Sequence, residues 1–432
     1  MKRTFTALSL FVIVSLLLAA CGGAATEAPV ATEAPVVTEA PVVTEAPPAA
    51  FECTDAIGCV TVAPDEPVHI AYLLVISGAN ETLGVDSRNG AEIAIADHGQ
   101  VLGHDVSFTG EDGGCSAEGG QPAATRLAAD PTIVGVIGTS CSSEARVAMP
   151  LLSAAGFSMI SASNTAPDLT LAGNENQWPG YFRTAHSDLI QGAAAADFAY
   201  NSLGLRTIAT IHDGSLYADK LAEVFRGAFE DLGGTVSGQG AVTPDQTDMS
   251  GILADIAAGQ PELIYYPIFM PAGAFITLQA RQTAGLENVY LMGADGLFSP
   301  DVAAGSGAAV EGFLVSSPDL TAFGSAYLTD FVPAYVEMFG TEPISIFHAH
   351  AYDAIGIMLT TIEQVAVVDA DGTLHIGRQA LRDALYATTN YPGLTGSLTC
   401  SPTGDCANPV IAVYEYHFVD GAGVYPPERI WP

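Results

Sequence analysis

The chain has 432 residues, with 48 acidic against 13 basic side chains and a formal net charge of −35. A body this acidic is repelled by nucleic acid and by anionic lipid, which excludes nucleic-acid readers and charge-driven membrane binders. Beyond a leader and a low-complexity segment, about 380 residues remain, enough for two lobes of ordinary domain size.

Residues 1–20 open with Met1-Lys2-Arg3 and an apolar run over 7–18, the make-up of a secretion signal too short to span a membrane. The ending Leu18-Ala19-Ala20-Cys21 resembles the lipobox of bacterial lipoproteins, which implies lipidation at Cys21 and attachment to a membrane through that lipid. Residues 21–50 repeat a Thr-Glu-Ala-Pro unit that has nothing to bury, so they read as an extended, partly polyproline-like tether. At ~3.1 Å per residue, about thirty such residues reach roughly 90 Å.

From residue 68 an apolar strand leads into Ser77-Gly78-Ala79-Asn80 and a helix over 85–97. A strand at 105–108, an acidic glycine-rich turn and a helix over 121–129 come next. The stretch 132–170 then holds two apolar runs, 133–137 and 157–160, each emptying into a turn of Ser, Thr and Asn, with a helical pattern over 143–155 between them. The alternation restarts with helices over 187–202, 217–232, 249–258 and 272–284, and strands over 207–212, 235–242, 263–266 and 289–292. Further on, helices over 324–339, 347–365 and 377–386 precede strands near 396–399 and 410–417. Such alternation predicts an α/β protein, two doubly wound parallel-sheet lobes joined by a hinge that the chain crosses more than once. Residues 51–185 begin lobe 1, 186–316 form lobe 2, 317–398 return to lobe 1, and 399–432 close lobe 2 and the hinge.

In open α/β sheets ligands settle beyond the carboxyl ends of strands, and unpaired N–H groups at a helix start attract anions. The turn Gly138-Thr139-Ser140-Cys141-Ser142-Ser143 combines both features, and the hydroxyls of Ser142 and Thr165 suit a carboxylate; alternatively Ser142 or Ser143 is only an N-cap. If Cys21 carries lipid, an even number of the 7 cysteines remains for an oxidising compartment. Cys53 with Cys59, and Cys400 with Cys406, each close a small loop, which leaves Cys115 to bridge Cys141. Their spacing, without matching histidines, is not that of a zinc site.

Over residues 68–419 the sequence resembles the Leu/Ile/Val-binding family of type 1 periplasmic binding proteins, the solute receptors of ATP-driven importers. The resemblance rests on Asn89-Gly90-Ala91-Glu92, on Gly138 with Cys141-Ser142-Ser143, on Thr165-Ala166-Pro167-Asp168, on Phe182-Arg183-Thr184, on His212-Asp213 with Tyr217, on Ala294-Asp295-Gly296, and on Ala351-Tyr352-Asp353-Ala354. It implies that Ser142 and Thr165 hold the carboxylate of an amino acid. Its ammonium falls to Ser163, Thr165 and, from the other lobe, Asp295, while Tyr217 closes over the ligand; Asn164 shares the same turn. The family's lobe-1 bridge falls on Cys115 and Cys141. A partner permease is implied, and no cofactor. Leu83 stands where an aromatic often closes the side-chain pocket, and Phe269 and Met270 replace a Gly- and Tyr-rich stretch, so the amino-acid head is retained and the side-chain preference is open.

Rival readings lack their residues. The Gly138 turn has no final glycine of a nucleophile elbow, and Gly110-Glu111-Asp112-Gly113-Gly114 is not a dinucleotide fingerprint. His348 and His350, two apart on a helix, point away from each other and cannot chelate one metal, so they are expected on the helix surface or in inter-lobe packing. A receptor for an amide or small carboxylate, or a sensor ectodomain of the same fold, remain as alternatives.

Overall fold

The computed structural model describes residues 51–171, 173 and 178–432. The expected signal, the tether and the lipidation residue Cys21 lie outside the described residues. All described elements belong to the second of the two units into which the chain divides, Phe51–Pro432.

Lobe 1 opens with β1 (Cys59–Val62), β2 (Val68–Leu74), α1 (Glu81–His98), β3 (Val106–Asp112), α2 (Ala117–Ala128), β4 (Ile133–Gly138), α3 (Ser142–Ala154), β5 (Met159–Ser161) and β6 (Tyr181–Arg183). Lobe 2 follows with α4 (Asp188–Asp197), β7 (Thr207–His212), α5 (Leu216–Asp231), β8 (Thr235–Ala241), α6 (Ser250–Ala258), β9 (Leu263–Tyr265), α7 (Ala272–Ala280), β10 (Tyr290–Ala294), α8 (Pro300–Ser306) and β11 (Phe313–Pro318). The chain returns to lobe 1 for α9 (Val332–Phe339), α10 (His348–Val365), β12 (Val367–Val368), β13 (Leu374–Gly377), α11 (Arg378–Tyr386), β14 (Tyr391–Gly393) and β15 (Gly396–Leu398). It ends in lobe 2 with β16 (Ile411–Tyr416), β17 (Phe418–Val419), β18 (Ala422–Gly423) and β19 (Glu428–Trp431).

The lobe 1 sheet is 5-stranded in the order β3-β2-β4-β5-β6, all parallel. The 7-stranded sheet of lobe 2 runs β19-β16-β11-β10-β9-β7-β8, parallel from β8 to β11 with an antiparallel pair added at one edge. Central strands such as β4 (IVGVIG) and β11 (FLVSSP) are buried along their whole length, as helices on both faces of a parallel sheet require. In both sheets the strand order reverses beside the first strand of the unit, between β2 and β4 and between β7 and β9. Crevices at such reversals, outside the carboxyl strand ends, receive ligands, and here the two face each other.

Helix α2 begins earlier than the expected 121, because the Ser116 side chain caps it by accepting from Gly119 N–H and Pro122 is tolerated near its start. The expected helix over 324–339 opens as a π turn at Tyr327–Phe331 before α9. Helices α1 and α10 pack closely because residue 90 is glycine; a Cβ there would stand 2.0 Å from the His348 carbonyl oxygen. At this seam Asp86 accepts from His348 N–H, His348 Nδ1, Ile344 N–H and the Tyr335 hydroxyl, all at 2.9–3.1 Å. His348 and His350 are thus buried, and the helix-surface placement is corrected. All three expected disulfides form, Cys53–Cys59, Cys115–Cys141 and Cys400–Cys406.

Candidate ligand-binding site

Each wall of the cleft comes from turns at the carboxyl ends of strands. The turn after β4 requires glycine at 138, where φ is +138° and a Cβ would meet the Leu73 carbonyl oxygen at 2.2 Å. Helix α3 starts immediately afterwards. Its N-cap is Cys141 rather than either serine: Glu144 reaches back to accept from Cys141 N–H (2.9 Å), and its other oxygen accepts from Cys115 N–H (2.8 Å). Burial pushes the Glu144 carboxyl up to about 7 against these donors. One buried side chain thus ties both halves of the Cys115–Cys141 bridge to the helix start, and leaves Ser142 and Ser143 for other work.

Ser142 accepts from Ala166 N–H (3.3 Å), which joins the first turn to the second. Ser143 accepts from Leu216 N–H of lobe 2 (3.0 Å), and Asn80 accepts from Met270 N–H (3.1 Å). Both bonds cross the cleft. A single buried apolar cluster also runs from the lobe 2 core to Leu83 and Cys141 of lobe 1, so the lobes are closed on each other.

A narrow cavity remains between them, bordered by Leu83, Ser140, Cys141, Ser142 and Ser163 of lobe 1, by Tyr217, Phe269, Asp295 and Gly296 of lobe 2, and by Phe347 at the start of α10. Asp295 is buried, and its Oδ1 accepts from Gln191 Nε2 (2.7 Å) and the Tyr217 hydroxyl (3.0 Å). Burial raises its pKa; His186, Gln191 and Tyr217 offset part of that. The Tyr217 phenol is pushed up by burial and by the Asp295 charge, so it stays a donor.

The expected residues divide clearly. Ser142, Ser163, Tyr217, Asp295, Leu83 and Phe269 meet at the cavity. Thr165 lies just behind, its buried hydroxyl oxygen without a hydrogen-bond partner. Asn164 does not border the cavity: its amide oxygen accepts from Thr139 (3.1 Å) and the Tyr181 hydroxyl (3.2 Å), and its buried amide nitrogen is without a partner. Met270 contributes a backbone N–H to the latch and no side-chain wall.

Three side chains had no assigned role in the sequence reading. Phe347 closes the apolar end of the cavity. Arg183, fully buried, is paired with Asp405 and donates to Ala166 carbonyl oxygen (3.0 Å) and the Thr170 hydroxyl (2.8 Å), bracing the turn that carries Thr165. The third is Asp188, the first residue of α4. It is fully buried, and neither carboxylate oxygen meets a donor in hydrogen-bonding geometry. Its pKa is pushed well up, by burial first and then by the Asp295 charge, while the Thr165 hydroxyl beside it offsets a part. Asp295 borders the cavity, whereas Asp188 and Thr165 stand behind its lining.

Closure of two lobes over a cavity buries a small ligand between them. The chain belongs to the periplasmic binding protein family, whose sequence profile matches residues 67–416. It is 26% identical over 358 residues to the Leu/Ile/Val-binding protein homolog 3 of Brucella melitensis, covering 81% of this chain and 91% of that protein. It is likewise 26% identical over 355 residues to the leucine-, isoleucine-, valine-, threonine- and alanine-binding protein of Pseudomonas aeruginosa, covering 82% and 90%. The crystal structure of a leucine-binding protein from Thermotoga maritima superposes with a TM-score of 0.72 at 26% identity, over 84% of this chain and 99% of that one. A solute-binding protein of Rhodopseudomonas palustris, solved with p-hydroxybenzoic acid, shares the fold (TM-score 0.72, 18% identity, 85% and 96% coverage). Family membership makes this an extracytoplasmic protein, and none of its described helices is long and apolar enough to cross a membrane.

Proposed function

We propose that this chain is the solute-binding lipoprotein of an ABC importer, that it captures a small apolar L-amino acid between its lobes, and that it hands this ligand to a permease. In this reading Cys21 carries the lipid and residues 21–50 tether the receptor to the membrane. The ligand's carboxylate meets Ser142 and the start of α3. Its ammonium meets Asp295, Asp188 and Thr165, under the Tyr217 hydroxyl. Leu83, Phe269 and Phe347 receive an aliphatic side chain.

One observation carries the reading: Asp188 is a buried carboxylate with no donor in hydrogen-bonding geometry, with the Thr165 hydroxyl beside it. Leaving it unpaired is expensive, and an ammonium group removes that cost where a benzoate, which has no cation, adds to it. The names of the Brucella and Pseudomonas relatives point the same way. Binding on lobe 1 followed by contact with Asp295 on lobe 2 gives the closed form its differential affinity, which is what shifts the population toward closure.

Thermal unfolding of the whole chain, refolded free of carried-over ligand, tests this against L-amino acids, amides and aromatic carboxylates. Ligand at ~100 times its Kd adds about 2.7 kcal/mol. Leucine, isoleucine, valine or alanine is expected to give the largest shift. A shift with p-hydroxybenzoate or an amide, and with no amino acid, overturns the ammonium assignment.

A further inference from the structure

Behind Asp295 lies a side chain that joins it to the first crossing between the lobes. Gln191, on α4 and fully buried, donates from Nε2 to Asp295 Oδ1 (2.7 Å), to the Ser316 carbonyl oxygen (3.0 Å) and, more weakly, to Ser316 Oγ (3.3 Å). Its amide orientation is therefore forced, since the opposite one would set oxygen against the Asp295 carboxylate and the Ser316 carbonyl oxygen. The amide oxygen faces His186 Nε2 at 2.6 Å, so that nitrogen is the donor and His186 takes the Nε2–H tautomer. His186 lies in the first stretch of chain to pass from lobe 1 to lobe 2, between β6 and α4, and Ser316 lies on β11 just before the second. The ring of His186 also stacks on Phe347, which borders the cavity, with centroids 6.2 Å apart.

We propose that Gln191 is a positioning residue for ligand capture: held by His186 and Ser316, it aims the Asp295 carboxylate into the cavity. The inference rests on the amino-acid reading above, in which Asp295 meets the ligand's ammonium. Gln191 never touches the ligand. It fixes one oxygen of the carboxylate, and the other is free to turn toward the cleft. Gln191, Asp295 and Ser316 all belong to lobe 2, so the carboxylate keeps its aim as that lobe moves, and His186 carries the amide's oxygen side to Phe347 at the start of α10.

A double-mutant cycle on the whole chain tests this, with calorimetric affinity for L-leucine, or for the panel amino acid that gives the largest thermal shift. Gln191→Ala should weaken binding about tenfold to a hundredfold, the scale of one lost hydrogen bond to a charged group. In an Asp295→Ala background the same change should cost less than about threefold, because the group it positions is gone. His186→Phe, which keeps a ring against Phe347 and removes the donor, should follow the same pattern with a smaller first step. Where Gln191→Ala fails to give a cooperative unfolding transition, Gln191→Met and His186→Phe provide the reading. Equal losses in both backgrounds, or no loss in the first, overturn the inference and leave the amino-acid reading standing. A parent chain that binds no amino acid removes both.

Discussion

Two carboxyl groups, both fully buried, meet opposite surroundings in this protein. Asp86, in the seam between α1 and α10, accepts four hydrogen bonds from lobe 1 itself, and the seam is extended by Tyr327 on His348 (2.8 Å) and Asn89 on Tyr335 (2.9 Å). Asp353, on α10, accepts from Leu394 N–H, Thr395 N–H and the Thr395 hydroxyl; burial still pushes it up to about 6. Asp188, behind the cavity lining and beside Thr165, has no donor in hydrogen-bonding geometry. A buried carboxylate that its own chain satisfies is a staple of the fold. One that the chain leaves without donors is poised for a group from outside.

The largest expected effect breaks the staple. Asp86→Ala strands four donors in the seam and should destabilise the fold by about 3–5 kcal/mol, measured by denaturant unfolding. If stability stays within about 1 kcal/mol, the seam is not a staple and the contrast with Asp188 is lost.

Asp188 should behave in the opposite sense. Burial raises its pKa in the free protein, and an ammonium contact lowers it in the complex, so binding expels a proton whenever the pH lies between the two values. Affinity should be level above the raised pKa and fall about tenfold per pH unit below it. Asp188→Asn should flatten that slope and, at neutral pH, weaken amino-acid binding by about 2–3 kcal/mol with no loss of fold stability. Calorimetry across pH reads all of these, and a variant with the parental slope would remove Asp188 from the site.

The smallest effect concerns the latch. Asn80→Ala removes one bond across the cleft lip and should weaken every ligand alike by about 0.5–1.5 kcal/mol, without reordering preferences. A changed ranking of amino acids in competition would mean that Asn80 touches the ligand.

Much of the site was legible because it is local. Gly138, Ser142 and the turn at Thr165 stand at strand ends where the backbone alone points them to the cleft, and Asp295 directly follows a strand. Cysteine arithmetic was enough for Cys115–Cys141. Asn164 stands back from the cavity lining because adjacent residues in a turn face different ways: its amide oxygen goes to Thr139 and Tyr181, while its buried amide nitrogen has no partner. Ser143 reads as a cap in any sequence; only the approach of α5 makes it a latch.

Asp188 shows the limit most clearly. An aspartate in the first turn of a helix is the usual complement to the helix dipole at a solvated surface, and its sequence signal here is no different. What the sequence by itself determined was the alternation of strands and helices, the turns that carry hydroxyls, and the pairing of the cysteines, because each follows from periodicity or from neighbours along the chain. What only the tertiary structure decided was which polar groups lost their water and which of those found partners. Burial and hydrogen bonding are set by elements far apart in sequence, Gln191 against Ser316 and Asp86 against His348, and only their packing separates a staple from a binding site.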